Sequence, residues 1–179
     1  LSVKENIETL ENFLNRNIFE IEKKLGDYVK EIYLIICYDI FLKVDLSLKN
    51  NFKGTQFNTS NMTNSLIEVK NQFKKSTNDH EIIHMMINKY IIDGNPYSTL
   101  INEKNFNHLS VEVGFICLQE NIIKDFKKVL SKYQITLTKT LCYDYLKNFK
   151  GSNDDTTIFN IASNILRGFN QNEIFLDNK

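Results

Sequence analysis

The sequence predicts an α+β domain, a mostly antiparallel sheet with amphipathic helices packed on it. Two observations carry that expectation. Apolar stripes of helical period alternate along the chain with shorter runs that are apolar throughout or apolar at every second position. Hydrophobic residues make up 42% of the 179 residues, enough to bury a substantial core. The expected order is helix, two strands, helix, two strands, helix, strand, helix.

Residues 2–25 open the chain as a helix. Ser2 and Glu5 form a capping box, Val3, Ile7, Leu10, Leu14, Ile18, Ile21 and Leu25 recur at helical spacing, and Gly26 stands at the C-terminal cap. The nearly continuous apolar run 29–38 predicts a central strand. Residues 40–49 alternate, with Leu42, Val44, Leu46 and Leu48 opposite Phe41, Lys43, Asp45 and Ser47, which predicts a half-exposed strand. Gly54 marks a turn. Thr59 or Ser60 then caps a helix over 61–75, with Met62, Leu66, Val69 and Phe73 inward. A strand at 81–92, a loop at 93–107 and a strand at 108–118 follow. Residues 120–133 form a helix with Ile122, Ile123, Phe126, Val129, Leu130 and Tyr133 inward. Residues 135–142 form a strand, 143–149 a helical turn, and 156–168 a last helix using Ile158, Ile161, Ala162, Ile165 and Phe169. Asp154 and Asp155 suit the start of that helix. The sequence divides into residues 1–150, the α+β domain with its N-terminal helix, and 151–179, a C-terminal helix and tail.

Composition narrows the function classes. The 22 basic and 22 acidic residues cancel, which argues against a dedicated nucleic-acid binder. No run approaches the roughly 18 apolar residues of a membrane span, and a last helix whose one basic residue is Arg167 makes a poor anchor on anionic lipid. Cys37, Cys117 and Cys142 are odd in number, far apart and in apolar runs. They read as reduced core residues of a cytosolic protein. The first residue is Leu1, so a processed or truncated chain is expected.

One motif carries possible chemistry. His80-Glu81-Ile82-Ile83-His84 spells the H-E-x-x-H pattern of zinc hydrolases, in which both histidines face the metal from one helix and the glutamate activates water. The neighbours Ile82, Ile83, Met85, Met86, Ile87, Tyr90, Ile91 and Ile92 favour a strand instead. On a regular strand His80 and His84 share a face but stand roughly 13 Å apart, too far to share one ion. Third ligands are also scarce: Ile87 and Tyr90 stand where the metzincin extension needs glycine and histidine, and Glu103 sits in a loop. No bound metal or cofactor is therefore expected. Glycine-rich phosphate loops and a G-x-S-x-G elbow are absent. The Phe-Lys-Lys triplets at 73–75 and 126–128 read as solvated edges of helices.

The run Ile82, Ile83, His84, Met85, Met86, Tyr90, Ile92, Asp93 resembles the inserted strand–helix–strand–strand subdomain of the bacterial cell-division protein FtsA, of the actin family. The likeness extends over residues 18–145. It takes in "EIEKKLGDYVKEIYLIIC", "FNTSNMTNSLIEVK" and "LSVEVGFICLQENIIKDFKKVLSKYQITLTKTL". Departures from the family pattern are specific. Ile87 replaces a proline, Gly114 a histidine and Gln134 a glycine, Cys142-Tyr143 replaces Ala-Ser, and the glycine after the first strand is missing near Tyr38-Asp39. The family's ATP-binding loops have no counterpart here, so nucleotide binding is not carried over.

The resemblance implies a non-catalytic interaction module of a cell-division protein. It would self-associate and recruit other division proteins in the cytoplasm, at the inner face of the membrane at the division site. A zinc-dependent hydrolase using His80, Glu81 and His84 is the alternative. A structural module of another actin-like or pilus-assembly protein is a third reading. A partner surface is expected at an exposed strand edge or the 93–106 loop, with Asp93, Asn95, Tyr97 and Phe106 as binding residues.

Overall fold

The computed structural model describes residues 2–51, 59–100, 106–151 and 155–174. The expected readings at Gly54, Glu103 and Asp154 lie outside them. In chain order the elements are α1 (Val3–Leu25), β1 (Glu31–Ile36), β2 (Leu42–Asn51), α2 (Thr59–Ser76), β3 (His80–Ile92), β4 (Asn95–Tyr97), β5 (His108–Gln119), α3 (Glu120–Ser131), β6 (Thr136–Cys142), α4 (Tyr143–Lys147) and α5 (Ile158–Leu166).

Local signals set several boundaries. Glu5 N donates to Ser2 Oγ at 3.3 Å, and Ser2 N donates to the Glu5 carboxylate at 2.5 Å. This closes the capping box at the start of α1 and satisfies two donors that the helix cannot. Gly26 ends it at φ +72°, its N–H donating to Glu22 O at 2.8 Å. Thr59 and Ser60 lie inside α2 rather than ahead of it. Thr157 caps α5 through Oγ1, which accepts from Asn160 N, so Asp155 stands ahead of the cap.

Among the described residues the strands form two sheets. An antiparallel sheet has the order β2-β5-β3-β4, and β1 pairs in parallel with β6. The apolar run at 29–38 predicts a central strand. The structure instead makes β1 the partner of β6 alone, with Tyr33 half-exposed. Consecutive β1 and β2 thus belong to different sheets.

Helix α2 covers one face of the antiparallel sheet. Leu66, Val69 and Phe73 pack there on Met85, Ile87, Tyr90, Leu109, Val111, Val113, Phe115 and Cys117. The Phe73 and Phe115 rings stack 4.4 Å apart. On the opposite face, α1 and α3 pack with Ile83, Leu118, Ile36 and Leu137. Beside them α4 and α5 pack with Ile116, Leu141 and Cys142. Hydrophobic burial on this scale is the main stabilising contribution to the fold.

Cys37 and Phe169, both expected in the core, are exposed. Cys37 is exposed, because it lies beyond the end of β1. Phe169 is 69% exposed, because α5 ends at Leu166 and the chain turns away at Gly168, φ +83°. Tyr133, just past the end of α3, packs half-buried against the α1–α3 core as expected, its hydroxyl donating to Asn15 Oδ1 of α1 at 2.6 Å.

Candidate functional site

The outer edge of β3 is where the expected binding residues, the histidine motif and the chain's C-terminal segment meet. Asp93 (φ +45°) and Gly94 (φ +86°) form the two-residue turn that reverses β3 into β4. Left-handed backbone at both central positions is the geometry that fits the twist of a hairpin. The Asp93 carboxylate accepts from His108 N at 2.8 Å and Asn107 N at 3.1 Å. Asp93 therefore ties the turn to the start of β5. Asn95 is exposed on β4, and Tyr97 pairs with Tyr90 and packs half-buried against the α2 core. Phe106 is expected on the binding surface; it is 5% exposed and belongs to that core instead. An aromatic ring returning from a loop gains more from burial than from exposure.

The H-E-x-x-H residues are all in β3. A bulge at Ile83 breaks the alternation, since Ile82 pairs with Cys117 and His84 with Ile116. His80 pairs with Gln119, on the same face as Cys117, which packs under α2. His84 pairs with Ile116, which faces α4 and α5. Strict alternation predicts one shared face; the extra residue of the bulge puts the two histidines on opposite faces. His80 Nδ1 lies 2.7 Å from Asp79 Oδ1, and Glu81 is exposed. Among the described residues no group of three or more His, Cys, Asp or Glu side chains is placed to hold a metal ion.

His84 is instead the centre of a buried polar network. Its Nε2 accepts from Cys142 N at 3.1 Å, so Nε2 carries no proton. The proton of the neutral ring is then on Nδ1, which donates to Glu173 Oε1 at 2.8 Å. Tyr145 Oη donates to Glu173 Oε2 at 2.8 Å and accepts from Asn170 Nδ2 at 2.8 Å. The His84 and Glu173 side chains are 0% and 2% exposed. The Tyr145 ring lies against the His84 ring, centroids 4.2 Å apart. Burial lowers the His84 pKa from its ordinary value, and the Glu173 hydrogen bond opposes that shift only partly. Burial likewise raises the Tyr145 pKa, so its hydroxyl stays protonated and donates. His84 joins the two sheets, because Cys142 ends β6 and His84 is in β3.

Glu173 reaches this position on a segment that reads as a tail in the sequence. Ile87 N donates to Asn172 O at 2.8 Å, and Ile174 N donates to Met85 O at 2.7 Å. These bonds make an antiparallel bridge between Met86 and Glu173. Asn172 Nδ2 donates to Ser98 O at 2.9 Å, placing the segment beside the end of β4. Residues 172–174 thus occupy an edge of β3 that β4, which pairs only with 90–92, leaves open. No periodic pattern marks this segment, and Glu173 lies 89 residues from His84.

A second surface lies beside β1. A groove of about 340 Å³ is lined by Val3, Leu10, Phe13, Leu34, Ile36 and Tyr38 among others. Phe13 and Tyr38 are 51% and 39% exposed on it. Among the described residues β1 has a strand neighbour only at β6.

No protein-family model matches the chain, and no curated protein sequence matches it significantly. Among the described residues no helix is long and apolar enough to cross a membrane.

Proposed function

We propose that this chain is a non-catalytic interaction module of the kind found in FtsA-like division proteins, self-associating and recruiting other division proteins. The observation that carries the reading is the β1 edge. A parallel strand is ordinarily covered on both faces. Among the described residues β1 has one strand neighbour, and an apolar groove with two exposed aromatic rings runs beside it. Such an edge offers backbone hydrogen bonds together with side-chain pockets, the requirements of strand addition.

Two further features support the family likeness. The order of helices and strands over residues 18–145 agrees with the segments that carry the resemblance. Gln134, where the family pattern has glycine, holds a left-handed backbone at φ +59°, the conformation that favours glycine. Position 114, a histidine in the family, is a departure here: a side chain at Gly114 would require the Asn88 side chain to move aside. A Cβ there would lie 2.7 Å from Asn88 Nδ2, which donates to Asp45 Oδ1 across the strand.

Sedimentation of the full chain tests self-association. Phe13→Glu, at a half-exposed position on the groove, should shift the species toward monomer with little change in thermal midpoint. Equal sedimentation of wild type and variant over a wide concentration range would count against the β1 surface. Asn95→Arg tests the β4 edge at an exposed position. It should weaken binding of a purified division protein and leave the thermal midpoint nearly unchanged, whereas Tyr97, packed half-buried against the α2 core, would cost stability if truncated.

A further inference from the structure

We infer that the β3 edge at Met85–Ile87 is a strand-addition site that reads a glutamate, and that the chain's own residues 172–174 occupy it in cis. Its ligand class is an extended peptide in which glutamate is followed by an apolar residue. This inference does not rest on the β1 surface or on the division-protein reading.

Recognition by strand addition has two parts, backbone bonds for affinity and a side-chain pocket for specificity. Both are present. Ile87 N and Met85 O are offered at the edge and are met by Asn172 O and Ile174 N at 2.8 and 2.7 Å. Between them the side chain of Glu173 enters a pocket whose donors are His84 Nδ1 and Tyr145 Oη, each 2.8 Å from a different carboxylate oxygen.

The pocket is built by the domain rather than by the segment. His84 comes from β3 and Tyr145 from α4. The N–H of Cys142 holds the imidazole in the tautomer that donates at Nδ1. Lys139, on β6, adds a positive charge whose field acts on His84. A glutamine would present its amide nitrogen to one of two donors, and a shorter aspartate would not span the same distance, so the pocket selects glutamate. Ile174 then packs against the α2 core, which sets the apolar preference after the glutamate.

The connection to α5 turns at left-handed Gly168, where Gly168 N donates to Ile165 O at 2.9 Å and Phe169 N donates to Asn164 O at 3.0 Å, while the Phe169 side chain is 69% exposed. These capping bonds precede the docked residues, so they stay made when 172–174 lift. The segment contributes Asn170, Asn172, Glu173 and Ile174, and nothing in those contacts requires a covalent link to the domain. An intramolecular ligand of this kind competes at an effective concentration of about millimolar. The site is therefore closed in the resting chain and opens when the segment lifts.

The test uses the full chain carrying Glu173→Ala, whose pocket lacks its carboxylate, and a capped peptide of residues 169–174. Peptide addition should shift the NMR signals of Met85–Ile87 and Tyr145 in the variant. Wild type should bind at least ~10-fold more weakly because of cis competition. The same peptide with alanine for glutamate should not bind. A folded variant that the glutamate peptide leaves unperturbed overturns the inference. Should the variant not fold, wild-type amide exchange decides. Exchange of Ile87 and Ile174 together, ahead of Val113 in β5, supports a separable segment. Exchange of all three only with global unfolding overturns it.

Discussion

Replacing Glu173 with alanine removes the acceptor of two buried hydrogen bonds, from His84 Nδ1 and from Tyr145 Oη. A hydrogen bond to a charged group contributes about 1.5–3 kcal/mol, so losing both with the segment still docked would cost about 3–6 kcal/mol. The segment has an alternative: it can lift from β3 and let water reach the stranded donors. The cost is then capped at the free energy that holds the segment down. Exchange of the Ile87 amide, which donates to Asn172 O, measures that cap in the wild type. Urea denaturation of Glu173→Ala should show a loss of about 2–4 kcal/mol, no larger than the Ile87 opening free energy. The thermal midpoint should fall by about 2–4 °C for each kcal/mol in a domain of this size. A loss below about 0.5 kcal/mol with unaltered Ile87 exchange would refute the reasoning, since those bonds would then contribute nothing net.

Stability should also depend on pH through His84. Its folded pKa is lowered by burial, so the unfolded chain takes up a proton near its ordinary value of about 6.5 while the native ring does not. The contribution is fully present above that value and is lost as pH falls toward the lowered folded pKa. Urea melts at pH 7.5 and 5.5 should differ by about 1 kcal/mol, and His84→Gln should abolish the difference. Gln134→Gly should raise stability by about 0.5–1 kcal/mol, because Gln134 is held at φ +59° and glycine relieves that strain. An unchanged denaturation midpoint would show that the left-handed conformation is not costly there. A thiol reagent should label the exposed Cys37 first. Cys117 is buried and its thiol is pushed up to about 12, so it should react only on unfolding. Fast labelling of two or three thiols in the native protein would contradict the packing around β5.

Much of the architecture was legible locally because burial imposes a period. The Ser2–Glu5 capping box, the Leu66, Val69 and Phe73 face of α2, and the Val44, Leu46 and Leu48 face of β2 all lie as their spacing implies. So does the strand expected at 81–92, found as His80–Ile92, where β-branched and aromatic residues outweighed a five-residue motif. Strand β4 was not legible: it has three residues, one of them Pro96, too few to show alternation. Phe106 was misplaced for a related reason. A single aromatic in a loop has no neighbours at a fixed period to say which way it turns.

The amino-acid order alone therefore determined the type and sequence of the long elements and which of their faces are apolar. Tertiary structure alone decided how strands were shared between two sheets, since pairing depends on partners distant in the chain. It also decided the fate of "HEIIH". One extra residue at Ile83 turned the histidines to opposite faces, and His84 found its partner 89 residues away at Glu173. A buried carboxylate and a buried imidazole stabilise one another only when the fold removes both from water in one place. No local spacing encodes that meeting.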